Sequence, residues 1–261
     1  MALRVVLSGA TGRMGGTLRR LIGEDPELEL VGGLDRDEAG SSPEFPRVTR
    51  LDGAAELLAD ADLLIDFSAP EFLARLLSGH SAALAGKGLL VGTTGLGDDE
   101  RRLLDTASRN SPVLVSANFS VAVNLMLVFA EQAAGVLGAE YDVEIVESHH
   151  RRKEDAPSGT ALALGEAVAQ GREVELSSVR RDGRSGRPGA RPIGEIGFHS
   201  LRGGDVVGEH DVMFIGPMDR LTLSHHAADR SLFAAGALRA ARWLAGKPSG
   251  LYTMRQVLGL P

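Results

Sequence analysis

The chain contains no cysteine. That excludes disulfides, thiolate metal ligands and a cysteine nucleophile together, and it fits a reducing cytoplasm. Lysine is scarce as well: Lys87, Lys153 and Lys247 are the only three, and arginine carries the remaining positive charge. Long apolar runs are missing. The longest in the central helix-like stretch, Leu125 to Ala130, is far below the ~20 residues of a membrane span. Val5-Val6-Leu7 near the N-terminus is too short for the core of a signal peptide. No membrane association is expected. Positive charge is also in deficit, with a formal net charge of −7, which argues against nucleic acid as a partner because phosphate binding needs a basic surface. What the chain does have is length and glycine. Its 261 residues hold one large domain or two small ones, and its 33 glycines show no collagen-like period.

The first half alternates strand and helix. Short apolar strands are predicted at Arg4–Leu7, Leu28–Leu34, Leu63–Ile65, Leu89–Val91 and Val113–Val115. Helical patterns lie between them at Met14–Ile22, Glu71–Ala85 and Asp98–Ser108. Strands this apolar, separated by helices, imply a doubly wound parallel sheet of the Rossmann type, covered on both faces. After about residue 118 the pattern changes. A long helix, Phe119–Leu137, is followed by the alternating strand Tyr141–Glu147 and by strands at Ile193–Leu201, Asp205–Phe214 and Arg220–His225. These imply an α+β domain with a mixed or mostly antiparallel sheet. Gly203-Gly204-Asp205 reads as a hairpin turn, and Arg181–Pro192 as a mobile loop. Asp229–Leu244 is helical again. The simplest division is a dinucleotide-binding domain of residues 1–119 and 230–261, interrupted by a second domain of residues 120–229.

Gly9-Ala10-Thr11-Gly12-Arg13-Met14-Gly15 follows a strand and opens a helix. Glycines there let the backbone turn sharply and approach a pyrophosphate, which the helix N-terminus attracts. The spacing is a variant of the common dinucleotide fingerprint, and the bland alternative is an ordinary strand-to-helix turn. Asp35 ends the second strand, 20 residues beyond Gly15, where an acid can accept hydrogen bonds from an adenosine ribose. Arg36 beside it could hold a 2′-phosphate that Asp35 would repel, so the pair suggests either NADPH or a site that accepts both NADPH and NADH. Asp66-Phe67-Ser68, Gly92-Thr93-Thr94-Gly95 and Ser116-Ala117-Asn118-Phe119 each follow a strand at its carboxyl end, the edge where ligands of such sheets bind.

The most informative segment runs from Glu147 to Thr160. His149-His150-Arg151-Arg152-Lys153 places five potentially cationic groups in succession in an acidic chain. A helix-like segment follows at once, and its first N–H groups near Gly159 and Thr160 suit an anion. Together these describe a site for a carboxylate-rich small molecule. Histidine can move a proton near neutral pH. Lys153 can bind a carboxylate or act as an acid, which arginine cannot. The alternative is a solvated basic loop. A metal site is disfavoured, because adjacent histidines in an extended segment point to opposite sides and their neighbours are cations. His199, His210, His225 and His226 lie on or beside later strands, where a structural or interface role is the expectation.

These residues resemble the 4-hydroxy-tetrahydrodipicolinate reductase (dihydrodipicolinate reductase) family of the diaminopimelate route to lysine. The most specific string is His149 to Lys153 continuing through Asp155-Ala156-Pro157-Ser158-Gly159-Thr160-Ala161. Gly12 to Gly15, Asp66 to Ser68, Gly92 to Gly95, Asn118 to Ser120, Gly208-Glu209-His210, Gly246-Lys247 and Gly250-Leu251-Tyr252 follow in family order. The resemblance implies NAD(P)H as hydride donor, a cyclic dicarboxylate substrate that loses its 4-hydroxyl as water, a cytoplasmic location, and a homotetramer built by the second domain. It implies His149 as general acid/base, Lys153 as proton donor, and His150, Lys153, Ser158, Gly159 and Thr160 around the substrate. It puts Gly9, Ala10, Thr11, Gly12, Arg13, Met14, Asp35, Arg36, Phe67, Gly92, Thr93, Thr94, Ser116, Ala117, Asn118 and Phe119 around the cofactor. Two positions depart from the family pattern: Ala69 stands where arginine is frequent, and His226 where lysine is. Competing readings are another small-substrate dehydrogenase, such as an amino-acid dehydrogenase, and a non-catalytic NAD(P) sensor.

Overall fold

A computed structural model describes residues 1–36 and 47–261. They form two compact units, one of Met1–Phe119 with Ser231–Leu260, the other of Ser120–Arg230 with Pro261. The first unit begins β1 (Leu3–Ser8), α1 (Arg13–Gly23), β2 (Leu28–Leu34), β3 (Val48–Thr49), α2 (Ala54–Ala59), β4 (Leu63–Asp66), α3 (Pro70–Gly79), α4 (Ser81–Leu84), β5 (Gly88–Val91), α5 (Asp98–Ser108) and β6 (Pro112–Val115). Pro70 sits at the first helical position of α3, where its missing N–H costs nothing. Asp98, Asp99 and Glu100 fill the first turn of α5, at the positive end of its dipole. The single helix expected over 71–85 is interrupted at His80, whose φ of −128° is non-helical. The turn falls beside Gly79, a weak helix former.

The second unit contains α6 (Val121–Leu137), β7 (Asp142–His149), α7 (Gly159–Gly171), α8 (Leu176–Val179), β8 (Arg180–Asp182), β9 (Ile196–Arg202), β10 (Glu209–Ile215) and β11 (Arg220–His226). Its sheet has the order β11-β10-β7-β9-β8. β9 runs parallel to β7, while β10 runs antiparallel to both β7 and β11. The sheet is therefore mixed. Val143 and Ile145 of β7, Ile196 and Phe198 of β9, and Val212 and Phe214 of β10 face α6 and α7 in one buried cluster. The hairpin expected at Gly203-Gly204-Asp205 is absent. β9 and β10 are not neighbours, because β7 lies between them. The connection instead crosses the end of β7, where Gly203 N–H donates to His149 O at 3.0 Å and Arg151 N–H to Gly204 O at 3.2 Å.

Helix α6 with its following turn, Val121–Glu140, is long and apolar enough by length and composition to cross a bilayer, although no unbroken apolar run in it is long. Met126, Ala130 and Ala134 on one side enter the buried cluster. Leu125, Phe129 and Val136 remain exposed on the other.

The chain then returns to the first unit as α9 (Ser231–Leu244), β12 (Gly250–Tyr252) and α10 (Met254–Leu258). The completed sheet has the order β12-β6-β5-β4-β1-β2-β3, and every pairing in it is parallel. Both faces are covered, so its strands alternate between two cores rather than between core and water. Val5, Leu7, Leu63 and Ile65 pack with α1, α9 and α10, whereas Val6 and Leu64 pack with α2, α3 and α5. The strand order reverses direction between β1 and β4, and at such a switch point the crevice beyond the carboxyl ends is open to a ligand.

Candidate active site

In the first unit, the loops after β1, β2, β4, β5 and β6 meet at that carboxyl edge. Gly9 adopts φ +74°, and a Cβ there would run into the Phe67 carbonyl across the switch point. Only glycine meets both conditions. Gly12 is the N-cap of α1, so the helix N-terminus at Arg13 and Met14 opens toward the loop. Asp35 braces it: Oδ2 accepts from Thr11 N–H at 2.9 Å and from the Thr11 hydroxyl at 2.7 Å, and Oδ1 accepts from Arg36 N–H at 2.8 Å. Burial alone would raise the Asp35 pKa, but these donors and the Arg36 charge bring it below the ordinary value. The carboxylate is therefore ionised and keeps acceptor capacity for a hydroxyl. Gly9, Thr11, Gly12, Asp35, Arg36, Phe67, Ser68, Ala69 and Phe72 line a cleft of about 210 Å³. A glycine turn, a helix N-terminus and an ionised carboxylate along one cleft fit a nicotinamide dinucleotide.

The remaining cofactor candidates divide by exposure. Thr94 and Ala117 are exposed. Ala10 is 1% exposed, and its N–H is given to Leu34 O at 3.3 Å. Ser116 donates its hydroxyl to Asn118 O at 2.7 Å and so shapes the loop after β6. Phe119 is 1% exposed and its ring lies 5.7 Å from that of Phe67, centroid to centroid, in the core behind the cleft-lining Phe67. Gly92 leaves no room for a Cβ beside the Phe67 ring. Thr93 is buried and points to Asp66. Asp66 is fully buried and accepts from Ser68 at 2.6 Å and Thr93 at 2.5 Å. Burial pushes its carboxyl up, and these hydroxyls pull it part of the way back.

In the second unit the basic segment is organised around an acid. Glu147 is 1% exposed and sits on β7 in phase with Val143 and Ile145. Its Oε2 meets His149 Nδ1 at 2.5 Å, and both its oxygens accept from Arg202 at 2.7 Å. Oε1 also accepts from Ser158 N–H at 3.1 Å. Burial would raise its pKa, but Arg202 and His149 hold it down at about 2. The His149 pKa lies below its ordinary value because burial outweighs the Glu147 attraction, with Lys153 and Arg202 adding to the lowering.

Lys153 Nζ donates to both oxygens of Asp155 at 2.8 Å, and its side chain is 19% exposed. The loop is pinned further by Arg152 on Asp205 at 2.9 Å and by Arg202 on the Asp155 carbonyl at 2.6 Å. His150 Nε2 accepts from Arg230 at 3.0 Å, since a guanidinium can only donate; burial first, then Arg230, lowers its pKa. Ser158 is buried and caps α7, with its hydroxyl accepting from Ala161 N–H at 3.1 Å and lying 2.9 Å from His210 Nε2. Its side chain is thus committed to the helix start, while Gly159 and Thr160 form the first turn itself.

Glu147, Arg202, Ser200 and His210 were not singled out as site residues from the sequence. Register explains how they meet. His210 pairs with Glu147 across β10–β7, Ser200 with Glu147 across β9–β7, and His225 with His210 across β11–β10. His225, His210, Glu147 and Ser200 therefore form one row across the sheet, next to the apolar row of Val212, Ile145 and Phe198. Alternation along β7 was the available signal, since it places a carboxylate on the inward phase. Of the two departures, Ala69 lines the first unit's cleft, and His226 stands 3.4 Å from Glu209.

A Rossmann-type unit with a dinucleotide cleft, joined to a mixed-sheet unit bearing a buried acid–histidine pair, defines the class of nicotinamide-dependent oxidoreductases. The comparisons narrow it. Residues 3–119 match the model described as dihydrodipicolinate reductase, N-terminus, and residues 122–258 its C-terminal counterpart. The 4-hydroxy-tetrahydrodipicolinate reductase of Parvibaculum lavamentivorans is 47% identical, over 99% of this chain and 98% of that protein. The enzyme of that name from Methylocella silvestris is 45% identical, over 99% and 97%. A dipicolinate-bound dihydrodipicolinate reductase from Paenisporosarcina sp. TG-14 shares the fold, with a TM-score of 0.74 at 24% identity over 97% of this chain and 98% of that one. The chain belongs to the 4-hydroxy-tetrahydrodipicolinate reductase family of NAD(P)H-dependent oxidoreductases.

Proposed function

We propose that the second unit binds the cyclic dicarboxylate 4-hydroxy-tetrahydrodipicolinate, and that His149 and Lys153 handle the protons of its reduction to tetrahydrodipicolinate with loss of water. The buried Glu147–His149 pair beside Lys153 and the start of α7 carries this reading. Lys153 and the first-turn N–H groups of α7 suit the carboxylates, with His150 close by in sequence. Dipicolinate, bound by the Paenisporosarcina protein, is a dicarboxylate of the same shape class.

The first unit holds the nucleotide: Gly9 to Met14 cradle the pyrophosphate, Asp35 and Arg36 the adenosine ribose, and Phe67, Gly92 to Thr94 and Ser116 to Asn118 the nicotinamide end. A reduced nicotinamide bound there would supply the hydride. Asp35 favours NADH and Arg36 favours NADPH, so both are accepted. Loss of the 4-hydroxyl as water, with a proton from C3, gives the conjugated imine; hydride addition at C4 then gives an enamine that must be protonated on carbon, and a placed acid accelerates such a step by roughly 10²–10⁴-fold.

The same reading includes self-association to a homotetramer. Phe129, Val136, Leu221 and Leu223 line an apolar groove of about 450 Å³ between α6 and the edge strand β11, and exposed apolar edges of this kind favour pairing. The cysteine-free composition suits a cytoplasmic enzyme.

The test is consumption of NADPH and NADH with freshly prepared 4-hydroxy-tetrahydrodipicolinate. An amino-acid dehydrogenase would ignore that substrate, and a sensor would bind nucleotide without turnover. With activity in hand, His149→Gln is expected to lower kcat far more than it raises KM. Unchanged turnover would remove His149 from the chemistry.

A further inference from the structure

His149 is not free to choose its orientation or its tautomer. The acid behind it is one carboxylate with four N–H donors. Glu147 takes His149 Nδ1 at 2.5 Å, Arg202 on both oxygens at 2.7 Å, and Ser158 N–H at 3.1 Å. It does so at 1% exposure, where water offers no substitute. An ionised carboxylate only accepts hydrogen bonds, so the proton in the short contact belongs to His149 Nδ1. The lone pair of the neutral ring is then on Nε2.

We infer that Glu147 is a positioning residue of this enzyme: it fixes His149 in the Nδ1–H tautomer with Nε2 as the working nitrogen, and it ties that ring to the first turn of α7 through Ser158. The inference rests on the reading of His149 as the acid/base group.

Two consequences follow from the chemistry. When Nε2 gains a proton, the positive charge on the ring lies against a fixed negative charge, so Glu147 makes the imidazolium accessible in a site where the other neighbours oppose it. Those neighbours are Lys153 in the adjoining loop, Arg202 on β9, and His210 on β10 with His225 next to it on β11; Asp155 partners Lys153. Second, the same carboxylate holds Ser158, whose hydroxyl caps α7. A shift of the acid moves both the proton-transfer nitrogen and the anion-binding turn. Arg202 is the counter-charge that keeps Glu147 ionised when His149 is neutral. A carboxylate–histidine pair buried on one strand two residues apart is possible here because the i and i+2 side chains of β7 share a face.

Three measurements test this. In the wild-type protein, the ¹⁵N chemical shifts of the His149 ring at neutral pH should show Nδ1 protonated and Nε2 bare. The opposite tautomer overturns the inference, and this result does not depend on the substrate assignment. If wild-type protein fails to reduce the substrate while the tautomer is as stated, the functional reading fails and the pairing stands. Next, Glu147→Gln keeps shape and one acceptor but removes the charge. It should lower kcat about a hundredfold with KM for substrate within about threefold, and shift the histidine pKa seen in the kcat/KM profile downward. A profile that keeps its pKa while kcat and thermal stability fall together would reduce Glu147 to a structural part. Should that variant not fold, Glu147→Asp supplies the comparison. It retains the charge at a shorter reach and should restore the pKa more than the rate. A shift as large as full charge removal would overturn the inference.

Discussion

Thr93 donates its hydroxyl to Asp66 Oδ2 at 2.5 Å, joining the ends of β5 and β4 through a carboxyl with no exposure to solvent. Backbone pairing between these strands stops at Asp66 and Val91, so this bond extends the junction into the loops that carry Phe67 and Gly92. Thr93→Val keeps the shape and removes the donor. A buried acceptor deprived of a partner costs about 1–3 kcal/mol. The expected outcome is a lower melting temperature together with a raised KM for NAD(P)H and a nearly unchanged kcat. A variant with wild-type nucleotide affinity would show that the 93–94 loop is held by something else.

Lys153 has a counter-ion of its own. Asp155 receives it on both oxygens, so under the proposed reading a substrate carboxylate would compete with a carboxylate already in place. Lys153→Arg keeps the positive charge but replaces a group that can release a proton with one that cannot. It should leave KM for substrate within a few-fold and lower kcat by roughly 10²-fold or more. Lys153→Ala should abolish most turnover while NAD(P)H binding persists, read by nucleotide titration. Loss of nucleotide binding in Lys153→Ala would contradict the assignment of the two units.

His210 links the site to acid stability. Burial, first, and then the neighbouring His149 charge depress its pKa to about 4, whereas an unfolded chain protonates histidine near 6.5. As pH falls through about 6.5 the unfolded state takes up a proton that the folded state refuses until pH 4, so stability is lost across that window, by about 3 kcal/mol in total. His149, His150 and His225 are shifted the same way, each by burial first. Glu147, held at about 2, contributes its loss only below the ordinary carboxylate range. The melting temperature should therefore fall between pH 6.5 and 4.5, before most carboxylates titrate. His210→Gln should flatten that slope. An unaltered slope would place the acid sensitivity on other groups.

The fold was legible because its signals are local. Leu63-Leu64-Ile65 reads as a strand buried on both faces from composition alone, and Asp98 to Ser108 announces its helix with its acidic first turn. The candidate site was proposed from contiguous segments: the glycine loop before α1, and His149 to Lys153. Its supporting partners were not, because they depend on register. Arg202 reaches Glu147 only since β9 runs parallel to β7, and His210 lies opposite Glu147 only since β10 runs antiparallel to it. No periodicity in the sequence states which strands are neighbours. The same gap produced the expected hairpin at Gly203, where adjacency in sequence stood in for adjacency in the sheet. Glu147 and His210 did leave a trace, as polar residues on the inward phase of alternating strands.

Gly208 offers a graded test of how closely His149 is held. A Cβ at this position would stand 3.0 Å from His149 Nε2, whereas one at Gly203 would meet nothing within 4 Å. Gly208 is not among the glycines with a positive φ, so alanine is tolerated by the backbone and acts through contact alone. The imidazole must give by a few tenths of an ångström, and Glu147 resists from the Nδ1 side. Misplacing a reacting group by even 1 Å can cost 10²-fold, so Gly208→Ala should lower kcat roughly tenfold or more, with thermal stability and NAD(P)H affinity close to wild type. Gly203→Ala, in the same connection, should change none of the three. Equal activities for the two variants would mean that the His149 ring moves freely enough to escape the methyl group, and that Nε2 is not held where the proton transfer needs it.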